Sequence, residues 1–567
     1  MEKRIPIGIE FYKTMIEGNY YYVDKTLLVK EILEKGASVS LFTRPRRFGK
    51  TLAMTMLKAF FEDERDENGD KVDNSKYFAG QKIAAFEDIM AGHMGKYPVI
   101  NLSLKSAKQP DFEMAYDVLV DGIREEFARH AYILNGDILS ENEREKYRAV
   151  LEGRGKNSEY ATSLAFLSQC LEKYHGKGTV ILIDEYDVPL ENSFFEGFYD
   201  KMTAFIRSFF ESALKTNKSL AFGVVTGCLR ISKESIFTGL NNLDVISLLN
   251  RDYAEYFGFT QGEAEEILGF YGLLEKREEM KQWYDGYRFG DTEVYNPWSV
   301  INYVRTAALD SHAFPKPYWS NTSSNSIIKE LIEGADFITR GEIEELMEGG
   351  GIEKQVHEEI TYGDIRESQD NLWNFLFFTG YLKKAGERFD GESIYLKMEI
   401  PNAEIRYIYR NQISSWFDKK IKGADLSPLI TAMEQGDCHS MEEFLSDQLL
   451  DTISYFDYAE NYYHGFVSGL LKAAGKYMVR SNRESGEGRP DILMYSPTVR
   501  GKVFIIELKA AKEYGLMGEK CEEALRQAAE KNYREAFEGN GYKDITVYGI
   551  CFFRKECMVR AGGRKNG

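Results

Sequence analysis

Residues 41–57 read LFTRPRRFGKTLAMTML and have the pattern of a phosphate-binding loop between a strand and a helix. An apolar, strand-like run leads into Gly49-Lys50-Thr51, and apolar residues at helical spacing follow. In such a loop the backbone N–H groups point at phosphate oxygens, the lysine reaches the β- and γ-phosphates, and the next hydroxyl binds Mg²⁺. The sequence therefore predicts that Gly49, Lys50 and Thr51 bind ATP, with Thr51 as a ligand of its Mg²⁺.

The place of the loop's usual first glycine is occupied by Arg44, and Pro45 follows it. That glycine mainly serves the geometry of the turn, whereas Gly49 lets the backbone approach the phosphates closely. The change therefore weakens the match to the motif without removing the groups that bind phosphate. On the motif alone, a decayed loop or a chance Gly-Lys-Thr stays open.

A second apolar strand, GTVILIDEYDVPL at residues 178–190, ends in the acidic pair Asp184-Glu185. In a P-loop domain an acid at this place holds the Mg²⁺, and a second carboxylate beside it can polarise the attacking water. Asp184 is therefore predicted to bind metal and nucleotide, and Glu185 to be catalytic. A buried strand followed by a helix-capping acid is the alternative.

A third apolar run, SLAFGVVTG at residues 219–227, is predicted to end close to the γ-phosphate. Thr226 and the nearby Arg230 are therefore candidate nucleotide-binding residues. For Arg230, an ordinary surface or ion-pair role is an equal alternative.

The loop RPRRFGKT, the segment YYVDKT at 21–26, the segment at 226–243 and WYDGYRFG…VYNPWS at 283–299 together resemble the AAA-ATPase-like family of bacteria and archaea. Because this loop is the family's usual form, the resemblance implies an intact ATP site despite the missing glycine. It also implies that Arg46 and Arg47 add positive charge near the phosphates. Exposed arginines at the start of a helix are the alternative. AAA-type proteins often form rings, so a homo-oligomer is a possible assembly.

The chain of 567 residues is too long for a single hydrophobic core. Strand-like runs alternating with helical stretches predict an α/β domain with a parallel sheet at 1–250, followed by a mostly helical region at 251–425 and a third domain at 426–567. The chain has no signal-peptide pattern, no run of about 20 apolar residues and no CxxC pair. These features predict a cytoplasmic protein with no membrane partner, disulfide framework or zinc site.

The C-terminal segment RPDILMYSPTVRGKVFIIELKAAK, residues 489–512, has the alternation of a β-hairpin. Glu507 and Lys509 are two residues apart on one strand and so share a face, and Asp491 begins the adjacent strand. Two converging carboxylates can bind Mg²⁺ or Mn²⁺, and a neighbouring lysine can orient or activate the attacking water. Asp491, Glu507 and Lys509 are therefore candidate catalytic residues, with both acids as metal ligands. A solvated polar strand face is the alternative.

The surrounding order is helix, strand, strand, strand, helix, strand, with the acid on the second strand and Glu-x-Lys on the third. This αβββαβ pattern resembles the PD-(D/E)XK nuclease superfamily, and the resemblance implies a restriction-endonuclease-like fold and a nucleic acid, DNA, as the partner. Within the preceding helix, Glu460 is a further candidate metal ligand, and His464 is a second candidate with less support from the pattern. Gln527 and Tyr533 are similar to a glutamine–tyrosine pair of RecB-like nucleases, although their spacing differs.

The net charge of −18 disfavours nonspecific nucleic-acid binding by the whole surface. An excess of basic residues at 472–512 surrounds the proposed nuclease site, where a phosphate backbone would need it. In the middle region, core packing is favoured over base stacking for the large aromatic residues. These are Trp283, Tyr284, Tyr287, Trp298, Trp319 and Trp373.

These patterns favour an ATP-binding, ATP-hydrolysing protein with a metal-dependent nuclease domain, in mobile-element or phage-related DNA processing. One alternative is a nucleotide-dependent switch or scaffold whose nuclease-like domain is an inactive binding module. Another retains only the ATPase, acting on protein partners.

Overall fold

The computed structural model describes residues 3–229, 236–237, 242–319, 326–356, 358, 368–423, 425–450, 460–481, 490–531 and 533–562. The chain forms two compact units. The first contains Met1–Ile327 and Gly351–Ile408, and the second contains Ile328–Gly350 and Tyr409–Gly567. The sequence-based domain limits at about 250 and 425 stay a prediction.

A five-stranded parallel sheet forms the core of the first unit, in the order β2-β3-β4-β1-β5. The strands are β1 (Val39–Thr43), β2 (Val99–Ser103), β3 (Thr179–Asp184), β4 (Leu220–Gly227) and β5 (Leu243–Ile246). The predicted α/β fold and its first four strands are confirmed. The fifth strand was not predicted, because it is a four-residue edge strand of which only the last residue is buried.

The central strands are apolar runs rather than alternating ones, because helices cover both faces of the sheet. Every residue of β1 and β3 is buried. In a parallel sheet all carboxyl ends lie at one edge, where ligands usually bind in α/β folds. Thr43, Asp184 and Gly227 therefore end their strands at the same edge, beside the GKT loop.

Helices pack around this sheet. They are α1 (Tyr12–Glu17), α2 (Leu28–Lys35), α3 (Lys50–Phe61), α4 (Glu87–His93), α5 (Phe112–Arg129), α6 (Glu141–Leu151), α7 (Asn157–Ala161), α8 (Ser163–His175), α9 (Val188–Glu196) and α10 (Tyr199–Phe210). Their ends follow local chemistry: the Asp111 carboxylate accepts a hydrogen bond from Met114 N at 2.9 Å and caps α5. Gly176, in the left-handed region at φ 66°, ends α8.

Residues 251–425 are mostly helical, as predicted, with small sheets added. The helices are α11 (Gln261–Phe270), α12 (Arg277–Tyr284), α13 (Pro297–Leu309), α14 (Ser326–Glu333), α15 (Phe337–Glu348), α16 (Gln369–Phe378) and α17 (Ala403–Gly423). The strands are β6 (Tyr287–Phe289), β7 (Thr292–Val294), β8 (Ile352–Gln355), β9 (Lys383–Phe389) and β10 (Ile394–Glu399). Tyr284, Tyr287, Trp319 and Trp373 are buried, so these aromatic residues do serve as core.

The second unit carries a five-stranded sheet in the order β11-β12-β13-β14-β15. Its C-terminal elements are α18 (Ser427–Gln435), α19 (Cys438–Leu450), α20 (Glu460–Ala473), β11 (Met478–Ser481), β12 (Ile492–Tyr495), β13 (Lys502–Ala510), α21 (Met517–Glu530), α22 (Tyr533–Glu538), β14 (Asp544–Phe553) and β15 (Glu556–Ala561).

In this sheet β13 and β14 pair in parallel, and the other neighbouring strands pair antiparallel. The predicted αβββαβ order is confirmed, and β15 extends it as an additional antiparallel strand. Among the helices that the structure describes, none is both long and apolar enough to cross a membrane.

The first unit also contains a fully buried carboxyl group, that of Glu404 at the start of α17. It accepts hydrogen bonds from Ser299 Oγ at 2.8 Å and from Trp319 N at 2.8 Å. Burial nevertheless raises the pKa of Glu404 to about 7, because the charged form loses its hydration.

This raised pKa predicts a pH-dependent stability. Between pH 4.5 and 7 the folded state retains the Glu404 proton that the unfolded state releases, so the free energy of unfolding falls as pH rises, by at most about 3 kcal/mol. Glu404→Gln cannot titrate, so its melting temperature relative to wild type should increase from pH 5 to pH 8. Thermal unfolding followed by tryptophan fluorescence measures this difference, and a difference that is the same at every pH would contradict the prediction.

Candidate nucleotide and metal sites

The GKT loop joins the end of β1 to the start of α3. Gly49 lies immediately before α3 with φ 84°, in the left-handed region where a side chain would be strained. A Cβ added to Gly49 would meet no atom within 4 Å, so space remains in front of the loop. The free N–H groups at the beginning of α3 are therefore available to an anion.

Lys50 is buried, and its ammonium is held by the loop itself. Nζ donates to the carbonyl oxygens of Arg44 and Pro45, both at 2.9 Å, and lies 3.7 Å from Cys228 Sγ. A bound phosphate would compete with these two carbonyls for the same ammonium. The lysine is thus held at the loop from which it would contact the phosphates.

The Asp184 carboxylate brings together three of the predicted site residues. Its Oδ2 accepts a hydrogen bond from Thr51 Oγ1 at 2.7 Å, and its Oδ1 accepts one from Thr226 Oγ1. Carboxylate and hydroxyl oxygens are ligands that Mg²⁺ accepts in proteins. The Thr51–Asp184 pair is therefore suited to hold the Mg²⁺ of a nucleotide.

Glu185 follows β3 in an unusual backbone conformation, with φ 52°. A non-glycine residue in the left-handed region costs roughly 1–3 kcal/mol and persists only where the surroundings fix it. This conformation turns the chain sharply after Asp184. Glu185 therefore lies beside the Asp184 site, and its role with water stays a prediction.

Asp187, which the sequence reasoning missed, is a buried acid at the same edge. Its carboxylate accepts hydrogen bonds from the N–H groups of Cys228 at 2.7 Å and Leu229 at 3.1 Å. Burial raises its pKa to about 6, although these N–H groups and the charge of Lys50 act in the opposite direction. Asp187 thus fixes the chain after β4. The signal was present in Asp-Glu-Tyr-Asp, where it was indistinguishable from a helix-capping acid.

Arg46 and Arg47 of the loop both contact other side chains. Arg46 pairs with Glu191 on α9, and the Arg47 guanidinium lies 4.5 Å from the centre of the Trp298 ring and 3.9 Å from Glu10. Both side chains remain about one third exposed. Their charge is therefore present near the loop. Arg230 lies outside the described residues.

Arg44, in place of the usual glycine, is fully buried. Its Nη1 donates to the carbonyl oxygens of Thr43, Ile246 and Ser247, at distances of 2.8–2.9 Å. The guanidinium also stacks over the rings of Phe257 and Phe289, and burial lowers its pKa to about 9. The loop is therefore fixed to the end of β5 by a buried side chain.

Phe48 connects the loop to the WYDGYRFG segment. Its ring centre lies 4.9 Å from that of Tyr287 and 5.3 Å from that of Phe289. Its carbonyl accepts a hydrogen bond from Gly258 N at 3.2 Å. Two of the segments that carry the family resemblance, the loop and the WYDGYRFG segment, are thus packed against each other through Phe48.

In the second unit, the β12–β13 register brings Asp491 against the end of β13. Ile492 lies opposite Ile506, and Asp491 Oδ2 accepts a hydrogen bond from Leu508 N at 2.9 Å. The His464 ring contacts the carbonyl oxygen of Asp491 at 2.9 Å, so this histidine fixes the backbone there.

Glu507 is a fully buried carboxyl group with one unsatisfied oxygen. Oε2 accepts a hydrogen bond from Gln527 Nε2 at 2.9 Å, whereas Oε1 has no hydrogen-bond partner within the described part of the chain. Burial, and then the charge of Asp491, raise the pKa of Glu507 to about 8, and Lys509 and Lys531 oppose the shift. Two acids that repel each other around an unsatisfied oxygen fit a divalent cation, which would relieve both.

An open cleft of about 490 Å³ lies in front of these residues. Lys509 lies on it, with its Nζ 3.7 Å from Glu460 Oε1, and burial raises the pKa of Glu460. Within the described residues, no group of three or more His, Cys, Asp and Glu side chains is arranged to hold a metal ion. The candidate ligands are therefore the pair Asp491 and Glu507, with Glu460 in the same cleft.

Tyr533 is buried and directed toward the two acids. Burial raises its pKa, and the charges of Glu507 and Asp491 raise it further. Gln527 therefore contacts Glu507 directly, whereas the buried hydroxyl of Tyr533 has no hydrogen-bond partner among the described residues.

The basic excess at 472–512 is distributed differently from the expectation. Lys476 pairs with Glu434 at 2.6 Å, and Lys502 pairs with Asp544 at 3.3 Å. Of this segment, Asp491 and Lys509 line the cleft. The other cations of the cleft come from the region of α21 and were missed, because their sequence neighbours are acidic. The complete lining is Glu460, Asp491, Lys509, Glu523, Arg526, Gln527, Glu530 and Lys531.

The close packing at the end of β4 predicts a strict need for glycine. A Cβ on Gly227 would lie 2.5 Å from Tyr186 Cε1 and 2.9 Å from Asp187 Oδ1. Gly227→Ala should therefore lower the stability by about 1–3 kcal/mol, measured by thermal unfolding. The matched control is Gly262→Ala on α11, where an added Cβ meets nothing within 4 Å and should be neutral or slightly stabilising. Equal effects of the two changes would contradict the packing argument.

The acid pair predicts a metal site that can be measured without turnover. Isothermal titration of Mn²⁺ into the protein should show binding that Asp491→Asn weakens at least about tenfold. Asp544→Asn, an exposed acid paired with Lys502, is the matched control and should bind as wild type does. Unchanged binding by Asp491→Asn would exclude this ligand set.

Comparison with known proteins places both sites in families. Residues 6–237 match the family described as Predicted AAA-ATPase, and residues 458–561 match the PD-(D/E)XK nuclease superfamily. Over 581 aligned residues, covering 98% of each chain, the protein is 24% identical to one from Azotobacter chroococcum mcd 1 described as "Uncharacterized protein in vnfD 5'region". The chain therefore contains an AAA-ATPase-like domain at 6–237 and a C-terminal PD-(D/E)XK nuclease superfamily domain at 458–561.

Proposed function

We propose that the protein binds and hydrolyses ATP and cleaves DNA with a divalent metal ion in its C-terminal domain. The observation that carries the nuclease part is the pair Asp491 and Glu507, with an unsatisfied Glu507 oxygen, beside Lys509 on an open cleft. A strand face that was merely solvated would not bury a carboxyl group whose pKa is raised by a second one.

In the ATPase domain, Lys50 would exchange the Arg44 and Pro45 carbonyls for the β- and γ-phosphates. Thr51 and Asp184 would hold Mg²⁺, which neutralises charge on the phosphates when bound. Glu185 would orient the attacking water.

Three further residues would support the nucleotide. Arg46 and Arg47 would contribute positive charge close to the loop. Thr226 would fix the Asp184 carboxylate, because its hydroxyl donates to Oδ1.

In the nuclease domain, Asp491 and Glu507 would hold Mg²⁺ or Mn²⁺. Such an ion supplies Lewis acidity to the phosphodiester and lowers the pKa of bound water. Lys509 would orient the attacking water by donating a hydrogen bond to it, and Glu460 would hold the Lys509 ammonium at the cleft. Gln527 would keep Glu507 directed at the metal, since its amide holds the other oxygen.

The physiological setting that we propose is mobile-element or phage-related DNA processing. We also propose that the protein assembles as a homo-oligomer. Both rest on the architecture alone. A nucleotide-dependent scaffold with an inactive nuclease-like module is the competing function, and the following experiment separates the two.

The decisive test incubates the intact protein with linear, nicked and single-stranded DNA and Mg²⁺ or Mn²⁺, with and without ATP. Lys509→Ala should slow cleavage by roughly 10²–10³-fold, because it removes a cation that orients the attacking water and stabilises developing negative charge. Gln527→Ala should slow it by about 10–100-fold through the orientation of Glu507. Lys50→Ala should abolish ATP hydrolysis, measured as phosphate release.

Asp544→Asn serves again as the control that should cleave like wild type. Cleavage that depends on ATP and on Lys50 would show that the domains are coupled. No cleavage by wild type under any condition, with ATP hydrolysis intact, would overturn the nuclease proposal in favour of the scaffold.

A further inference from the structure

Two exposed cations line the nuclease cleft: Arg526 on α21 and Lys531, the residue directly after this helix. Gln527, whose amide holds Glu507, lies between them in the sequence. Because Gln527 and Lys531 are four residues apart, Lys531 follows about one helical turn beyond the residue that positions the catalytic acid. Lys531 lines the same cleft as Asp491 of the acid pair.

Neither cation is paired with an acid in the described part of the chain. Within the described residues, the side chains of Arg526 and Lys531 form no ion pair or hydrogen bond with another residue. Nearby lysines behave differently: Lys520 pairs with Glu523 at 2.6 Å, and Lys476 pairs with Glu434 at 2.6 Å. Two exposed, unpaired cations on the wall of a cleft are therefore available to an anionic ligand.

The net charge of the cleft indicates which kind of anionic ligand would bind there, and whether it needs a bound metal ion. The lining carries four carboxylates, those of Glu460, Asp491, Glu523 and Glu530, against three cations. A free anion would meet a negative cleft, whereas a divalent cation at the acid pair would neutralise the two excess negative charges of the lining and Glu507 together. A polyanion whose phosphates reach both the metal and α21 satisfies this arrangement.

We infer that Arg526 and Lys531 bind backbone phosphates that flank the scissile phosphate, so that the nucleic-acid strand runs along α21 instead of along the basic segment 472–502. This inference rests on the proposed nuclease function and adds the path of its substrate. The basic segment 472–502 is the competing path. It is disfavoured because Lys476 and Lys502 are already paired with acids there.

The test measures binding instead of cleavage. A fluorescein-labelled 30-base-pair DNA is titrated with the intact protein in Ca²⁺ or EDTA, and anisotropy gives Kd from 50 to 300 mM KCl. Each phosphate contact that is lost reduces the slope of log K against log salt by about 0.9. Arg526→Ala and Lys531→Ala should each reduce the slope by about this amount and weaken binding several-fold in Ca²⁺. Lys476→Ala, a cation paired with Glu434, is the matched control and should retain the wild-type slope.

A structural role is separated by a second readout. Lys531 follows the last residue of α21, where a cation also stabilises the helix dipole. Because that contribution is at most about 1 kcal/mol at an exposed site, the melting temperature of Lys531→Ala should fall only slightly, and its Mn²⁺ affinity should be retained while its salt slope falls. Loss of DNA affinity that merely follows a loss of stability would overturn the inference.

The remaining outcomes distinguish the two strand paths from each other and from a failure of the nuclease proposal. Wild-type slopes in Arg526→Ala and Lys531→Ala, with a reduced slope in Lys476→Ala, would place the strand on the basic segment and overturn the inference alone. Reduced slopes without any cleavage by wild type would support this path while refuting the nuclease chemistry. No DNA binding by wild type would overturn both.

Discussion

The hydrogen bonds to Asp184 are the interaction on which the geometry of the candidate nucleotide site depends. Its carboxylate receives the hydroxyl of Thr51 from the start of α3 and the hydroxyl of Thr226 from the end of β4. Segments far apart in the chain are thereby fixed at the edge of the sheet where parallel strands end. The strained Glu185 and the raised pKa of Asp187 occur at the same edge. Costs of this kind are retained where the geometry serves a ligand.

The nuclease domain shows the same physical principle in a different fold. Glu507 is buried beside a second acid, although burial and repulsion both disfavour its charged form. Gln527 satisfies one of its oxygens and leaves the other without a partner. A core selected for stability alone would replace such a group by an apolar residue. Under the proposed function, a divalent cation would stabilise both carboxylates and use the oxygen that has no partner among the described residues.

Much of the fold could be predicted because its signals are local. Buried apolar runs indicated β1 to β4, and the alternation around the turn at 496–501 indicated the β12–β13 hairpin. The acids and the Gly-Lys-Thr are recognisable because each ends a strand or begins a helix. Arg526 and Lys531 gave no such signal, and the signal of Asp187 was the same as that of a helix-capping acid. The role of each residue depends on which residues lie opposite it in space. The short edge strand β5 was also missed, because three of its four residues are not fully buried.

The sequence by itself determined the chemistry available to the protein: a phosphate-binding loop, acids at strand ends and a Glu-x-Lys strand, each encoded within a few neighbouring residues. The tertiary structure alone decided how Arg44 replaces a glycine. Two of its three carbonyl acceptors, those of Ile246 at the end of β5 and Ser247 just beyond it, lie about 200 residues away in the chain. The tertiary structure also decided which cations face the nuclease cleft. Pairing with Glu434 and Asp544 engages two lysines of the basic segment, while helix α21 brings Arg526 and Lys531 to the acid pair. Long-range packing determines which of the charged residues in the sequence are paired with one another and which face the cleft.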